Sequence, residues 1–285
     1  MEDLFGYNYT QELFFVDWQK IRVRQVNYYH MIKYQKNMSR AIWRPASGRK
    51  VGFGVYHEDV LIGLIFLASP VINLKERDDY LKLSKDATKK GYELKHYADL
   101  SICVGIQPLS WYWNLGKLIA LLSTSKEISD CFKLRYGCEL IGITTTSLYG
   151  KGSQYNRIFK FLGYTKGYGH EHISDKEYVE MLKWMKINQI EIPSCKFGEG
   201  SNARMRRIAA YKKANGEKVN LFHGNKRGIY YKPCENKSVS EISELWFYKF
   251  GLRRYEAKKT ENPPYLSGIE NPNGFEKDEV GGAVF

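Results

Sequence analysis

Apolar and polar positions are most clearly organised between Val51 and Pro70. VGFGVY and VLIGLIFLASP are two β-rich runs around the polar turn His57-Glu58-Asp59, a pattern that predicts a hairpin ended by Pro70. In HYADLSICVGI, Tyr97, Asp99, Ser101 and Cys103 alternate with Ala98, Leu100, Ile102 and Val104, the period of a strand with one apolar face, so Asp99 falls on its polar side. NLGKLIALLSTS then places Leu115, Leu118, Ile119 and Leu122 on one helical stripe. ELIGITTTS reads as a further strand. SQYNRIFKFLGY carries Tyr155, Ile158, Phe159 and Leu162 at helical spacing, with Ser153 as N-cap and Gly163 as stop. Strand, helix, strand, helix in succession leads us to expect a parallel sheet.

The flanks are less periodic. Residues 1 to 47 mix aromatic and basic side chains and are expected to cap the fold, with a helix over Asp17 to Lys36. Residues 73 to 92 are charged and predict solvated helix or loop. Beyond Gly163, YTKGYGHEHI predicts a strand, and the capping box Ser174-Asp175-Lys176-Glu177 opens a helix to about Gln189. Pro193 and the glycines of KFGEGS suggest a boundary. A basic helix (ARMRRIAAYKK), a hairpin of NLF and GIYY, and a last helix opened by Ser238-Val239-Ser240-Glu241 with Trp246 and Phe250 inward complete the ordered chain. The expected organisation is an α/β domain over 1–192, a basic α/β extension over 193–258, and an extended or disordered tail over 259–285.

Composition narrows the function. A chain of 285 residues can bury a full core, and 44 Lys+Arg against 31 Asp+Glu give a net charge of +13, which favours a polyanionic partner. Nucleic acid leads, the more so because 22 tyrosines supply rings able to stack on unpaired or flipped bases. The five cysteines are odd in number and never spaced CxxC, so neither a disulfide framework nor a structural zinc site is indicated. No run reaches the ~18 apolar residues of a membrane span. The start MEDLFGYNYT is acidic and polar, unlike a signal peptide, and a cytoplasmic location is expected.

The order of elements from Val51 to Gly163 resembles the GNAT superfamily of acyltransferases, whose sheet is mixed and flanked by helices. Within that resemblance, Gln107 to Lys117 matches the turn that binds the pyrophosphate of acyl-CoA. Gln107, Asn114, Gly116 and Lys117 are therefore the implied cofactor contacts, with acetyl-CoA or another acyl donor as the implied cofactor; only Gly116 stands where the family uses a pair of glycines. FGVYHEDVLIGLIFLASP, DLSICVGIQ, TTTSLYGKGSQYNR and GYTKGYGHEHI resemble, more closely, phage-associated GNAT-like families that include the Mom-type DNA-modifying proteins and the A component of Druantia anti-phage systems. The similarity covers roughly residues 27 to 173. It implies a transferase that alters a base in DNA, in a phage or anti-phage setting.

The hydroxyls of TTTSLYGKGSQY sit where a strand runs into a glycine-rich turn, which reads as a substrate cradle at a carboxyl strand end. Asp99 is the candidate base, Tyr149 or Tyr155 the candidate acid, and Ser147 a further cradle residue, while Thr144 and Thr145 read as strand formers. Lys151, Arg157, Lys226 and Arg227, with Arg204, Arg206 and Arg207 on the basic helix, are the candidate nucleic-acid contacts. The target is DNA, either single-stranded or duplex with a flipped base. His170-Glu171-His172 with Asp175 has some metal-ligand character, but no metal site is assigned. Two other readings stand beside the transferase: a non-catalytic DNA-binding component on the same fold, and an acyltransferase acting on protein or a small amine.

Overall fold

The structure is a computed structural model and describes residues 15–27, 48–147, 150–165, 173–194, 201–219 and 226–261. Seven strands form one mixed sheet: β1 (Ile21–Val26), β2 (Lys50–His57), β3 (Val60–Ala68), β4 (Tyr97–Gly105), β5 (Gly142–Thr146), β6 (Lys160–Tyr164) and β7 (Gly228–Pro233), in the order β1-β2-β3-β4-β5-β7-β6. The β2–β3 hairpin forms as the pattern predicts, turning at Glu58 and Asp59. Both faces of β3 are buried, so its side chains feed two apolar clusters, one on each side of the sheet.

The described helices are α1 (Lys75–Leu81), α2 (Ala87–Glu93), α3 (Leu109–Trp113), α4 (Leu115–Leu122), α5 (Lys126–Tyr136), α6 (Asp175–Ile187), α7 (Ser201–Ala214), α8 (Val239–Trp246) and α9 (Leu252–Lys258). Leu115, Leu118, Ile119 and Leu122 are wholly buried, as their spacing predicts, and α4 packs on β3 and β4. Gly63 makes that approach possible, since a Cβ there would lie 2.1 Å from the Ile119 side chain. Capping boxes open α6 at Ser174 and α8 at Ser238. Trp246 is fully buried with Phe250 packed against the same core, and Trp113 stacks on Tyr255 at 4.2 Å. Among the described residues no helix is long and apolar enough to cross a membrane.

Three expectations are corrected, and one element is added. First, the chain from Ile21 to Val26 is a strand, not part of a helix: Ile21 and Val23 alternate with Arg22 and Arg24, and the run pairs antiparallel with β2. Second, among the described strands only β4 and β5 run parallel, and the other pairs are antiparallel. Third, the stretch from Ser153 turns only as far as Phe159 before Lys160–Tyr164 become β6. Arg157 adopts a left-handed φ of 70°, and β7 offers the following residues a pairing partner. The added element is α5, which lies between the helix at Leu115 and the strand at Gly142, capped by Ser125 and ended by Gly137 in a left-handed conformation. The NLF half of the second hairpin, the strand over 166–172 and the tail beyond 261 lie outside the described residues. GIYY forms β7, which inserts between β5 and β6, so residues on both sides of position 192 share one sheet.

Beneath α1 and α2 lies a buried ionic cluster. Arg77 donates to Asp78 Oδ1 at 2.6 and 2.9 Å, and Lys90 Nζ donates to Asp78 Oδ2 at 3.0 Å and to Asn73 at 3.1 Å. Removing the carboxylate would leave two buried cations without their counter-charge. Asp78→Ala is expected to lose about 3–5 kcal/mol of stability in urea unfolding.

Candidate functional site

β4 and β5 pair over three positions only: Tyr97 with Gly142, Ala98 with Ile143, and Asp99 with Thr144. Beyond Asp99, β4 continues on β3 and β5 continues on β7, so the two strands part and β4 loses its strand partner on that side. A bulge at the same place, with Leu67 opposite Leu100 and Phe66 opposite Ile102, leaves Ser101 unpaired. Buried carbonyls freed in this way need other donors. Thr145 Oγ1 donates to Leu100 O at 2.9 Å, and Gln154 Nε2 donates to Cys103 O at 2.9 Å while lying 2.8 Å from its sulfur. Tyr155 fills the space beside them, 5.3 Å from the Tyr230 ring and 5.7 Å from Phe159. The wedge on this side of the sheet is closed by side chains of the chain itself.

The residues expected to line a cradle divide accordingly. Ser147 is buried, donating to Gly150 O and accepting from Gly228 N at 2.8 Å, and so fastens the turn after β5 to the start of β7. Tyr149 lies outside the described residues, as do His170, Glu171 and His172. Tyr155 is buried, and that burial, reinforced by the nearby Cys103, pushes its hydroxyl well above the usual tyrosine range. Cys103 is likewise driven by burial up to about 12. Asp99 keeps a little solvent contact yet is deeply surrounded by protein. Burial raises its carboxyl to about 6, against the opposing effects of the Ser101 hydroxyl, which donates to it at 2.9 Å, and of the Arg77 charge. Arg77, which the sequence analysis passed over, is fully buried and keeps one guanidinium nitrogen, Nη1, without a hydrogen-bond partner. Its sequence signal was weak, an arginine within a charged run that reads as solvated.

The start of α4 is also engaged. Gln107 Oε1 accepts from Trp111 N at 3.1 Å, and Asn114 O accepts from Trp246 Nε1 at 3.4 Å. A Cβ on Gly116 would lie 3.2 Å from Gln154. Lys117 Nζ donates to the carbonyls of Ser153, Gln154 and Asn156 at 2.7, 3.2 and 2.7 Å, and burial, with the Arg157 charge second, lowers it to about 8. The turn over 152–157 therefore sits where the resemblance implies a pyrophosphate. In this arrangement these four residues do not fit that group.

Among the basic residues, Arg204 is buried, donating to Ile173 O at 2.8 Å and Ser174 O at 3.0 Å, with its guanidinium 4.2 Å from the Tyr178 ring. Arg207 donates to Pro193 O and to the Tyr178 hydroxyl, both at 3.3 Å, so these two arginines hold α7 in place. Arg206 is exposed. Lys151, Arg157 and Lys226 are exposed, and Arg227 is half-buried. Gly150 N donates to Lys226 O at 2.9 Å and Gly228 N to Gly150 O at 2.8 Å, a parallel bridge that sets Lys151 beside Lys226 and Arg227. Gly228 permits this approach, because a Cβ there would lie 2.6 Å from Gly150 O.

Comparison with known proteins gives two findings. A family described as "DruA: Druantia protein DruA" matches residues 22–243. The curated protein "Druantia protein DruA" of Escherichia coli (strain UMEA 4076-1) is 31% identical over 216 residues, covering 68% of this chain and 53% of its own length. The chain thus spans about half the length of that relative.

The Asp99 carboxyl supplies a pH test. Displacement from the usual 3.8 to about 6 means that the folded state holds a proton the unfolded state has released. Stability therefore falls as pH rises from about 4 to 6 and is flat above, by at most roughly 3 kcal/mol at about 1.36 kcal/mol per decade. Asp99→Asn is expected to remove this decline, its advantage over the parent opening between pH 4 and 6 in urea unfolding; parallel pH profiles would contradict the assignment.

Proposed function

Because the chain belongs to the Druantia protein DruA family, we propose that it is a component of an anti-phage defence system and acts there by binding nucleic acid through its basic surface. The observation that carries this reading is the bridge between Gly150 and Arg227, which gathers Lys151, Lys226 and Arg227 on adjoining turns of a chain with net charge +13. Phosphate contacts of this kind fix affinity and register without reading sequence. The strand order and the parting of β4 from β5 support a GNAT-like ancestry. The closed wedge and the engaged start of α4 favour a descendant that binds DNA over one that transfers an acyl group.

One observation favours a second reading, a nucleobase-modifying transferase. Asp99 lies where the strands part and holds its proton up to about 6, which suits a general base working near neutral pH. On this reading Asp99 takes a proton from an exocyclic amine, and the donor meets the base elsewhere than at α4.

Fluorescence anisotropy with labelled DNA tests the first reading. Lys151→Glu with Lys226→Glu is expected to weaken binding for all sequences alike and to flatten the slope of log affinity against log salt by about 2. Asp99→Asn should bind as the parent does. Phage-challenge assays with nucleoside mass spectrometry separate the two readings. Protection that survives Asp99→Asn with unaltered nucleosides supports binding, whereas protection lost together with a modified nucleoside would establish the transferase.

A further inference from the structure

A cavity of about 470 Å³ lies where α1, α2 and the turn joining them meet. Four lysines line it: Lys75 at the start of α1, Lys82 at its end, Lys85 in the turn and Lys90 on α2. Helical spacing explains the gathering, since Lys75, Asp78, Asp79 and Lys82 share one stripe of α1, while Glu76 and Tyr80 meet the sheet at Gly163 and Tyr231. The charges in the cavity do not balance. Asp78 is already matched twice, by Arg77 and by Lys90, which leaves Asp79 as the remaining carboxylate of the lining. Lys75, Lys82 and Lys85 are exposed, and among the described residues their ammonium groups make no hydrogen bond or ion pair. Lys90 is only 8% exposed and gives two of its three N–H groups to Asn73 and Asp78, so one remains. Ser84 Oγ accepts from Asp86 N at 3.2 Å and keeps its own proton to donate. Lys82 also stands in the left-handed region, with φ 54°, at a helix end where glycine is the usual residue. The lysine side chain is placed there against the preference of its backbone.

We propose that this cavity is a phosphate-binding site for an oligophosphate or a terminal phosphate monoester, with Lys75, Lys82, Lys85 and Lys90 as its cations and Ser84 as a neutral donor. Converging ammonium groups suit an anion that carries two or more charges on one compact group, as a phosphate monoester does near neutral pH. Lysine meets such a group as a point charge from any direction, so four lysines on separate turns need no shared plane. The ligand is read by its phosphate alone. Among the described residues no aromatic ring lines the cavity, and Leu83 is its apolar side chain, so a base or sugar finds nothing to stack on. The site is also distinct from the surface at Lys151. Tyr80 sets α1 on the face of the sheet that carries Tyr231, whereas Lys151 lies over Phe161 on the face that carries Tyr230. Neither site depends on the other.

The test is isothermal titration calorimetry of the full chain with tripolyphosphate and with ATP. Both are expected to bind with similar affinity, because nothing in the cavity reads a base. Lys82→Gly should weaken tripolyphosphate binding by about 10-fold, the loss of one hydrogen bond to a charged group. The same variant should unfold in urea no earlier than the parent, since glycine adopts the left-handed conformation without strain. Lys85→Gln should also weaken binding, and Lys126→Gln on α5 should leave it unchanged. A thymidine dinucleotide with and without a 5′ phosphate distinguishes the source of the ligand. Tighter binding of the phosphorylated form by the parent but not by Lys82→Gly identifies the end of a nucleic-acid strand; equal binding of the two forms, with tripolyphosphate still held, identifies a free oligophosphate. Failure to bind tripolyphosphate, ATP held far more tightly than tripolyphosphate, lysine variants at 82 and 85 that bind like the parent, or an equal loss in Lys126→Gln would overturn the proposal.

Discussion

The parting of β4 from β5 at Asp99 is the constraint around which the rest of the site is arranged. A strand that loses its neighbour in the middle of a sheet exposes carbonyls that burial does not tolerate unpaired. Thr145 and Gln154 supply the missing donors, and Gln154 does so only because the turn over 152–157 is pinned in place by Lys117. That lysine is held in turn by α4, which packs on the same β4. The loop is closed: the opening in the sheet, the turn that fills it and the helix that anchors the turn depend on one another.

The two faces of the sheet differ in consequence. On the side of α4 the opening is filled by Tyr155 within the main core, beside Phe159 and Tyr230. On the side of α1 the polar face of β4 carries Asp99, with a raised carboxyl, an exposed serine within hydrogen-bond reach and the charge of a buried arginine nearby. The side chains that supply donors thus close one side of the opening, and the group that holds its proton stands on the other. The same turn that closes the wedge also presents Lys151 and Arg157 to solvent, so one segment both seals the interior and furnishes the basic surface.

Periodicity made much of the scaffold legible. The hairpin, the α4 stripe and the two serine capping boxes follow from spacing within a dozen residues and form as their spacing dictates, whereas the bulge at Ser101 splits the expected apolar face of β4, Ala98 and Leu100 joining one cluster and Ile102 and Val104 the cluster on the other side of the sheet. Tyr155 and Phe159 illustrate where that stops. Their helical spacing is real and both are buried, yet the next residue enters a strand because β7, more than sixty positions along the chain, supplies a partner. Arg204, Arg207 and Lys117 illustrate the same limit for the site. A cationic side chain looks the same in sequence whether it meets phosphate or a backbone carbonyl, and here the carbonyls are what they meet.

The amino-acid sequence by itself determined the elements whose hydrogen bonds close locally, the burial of β3 and α4, the polar placement of Asp99 and the positive field of the whole chain. Tertiary structure alone decided that β7 would lie between β5 and β6, that the wedge beside Asp99 would be filled, and that Lys151 would stand next to Lys226. The physical reason is that these outcomes rest on pairings between distant segments, where competing partners for the same carbonyls and ring faces are weighed only once the chain has collapsed.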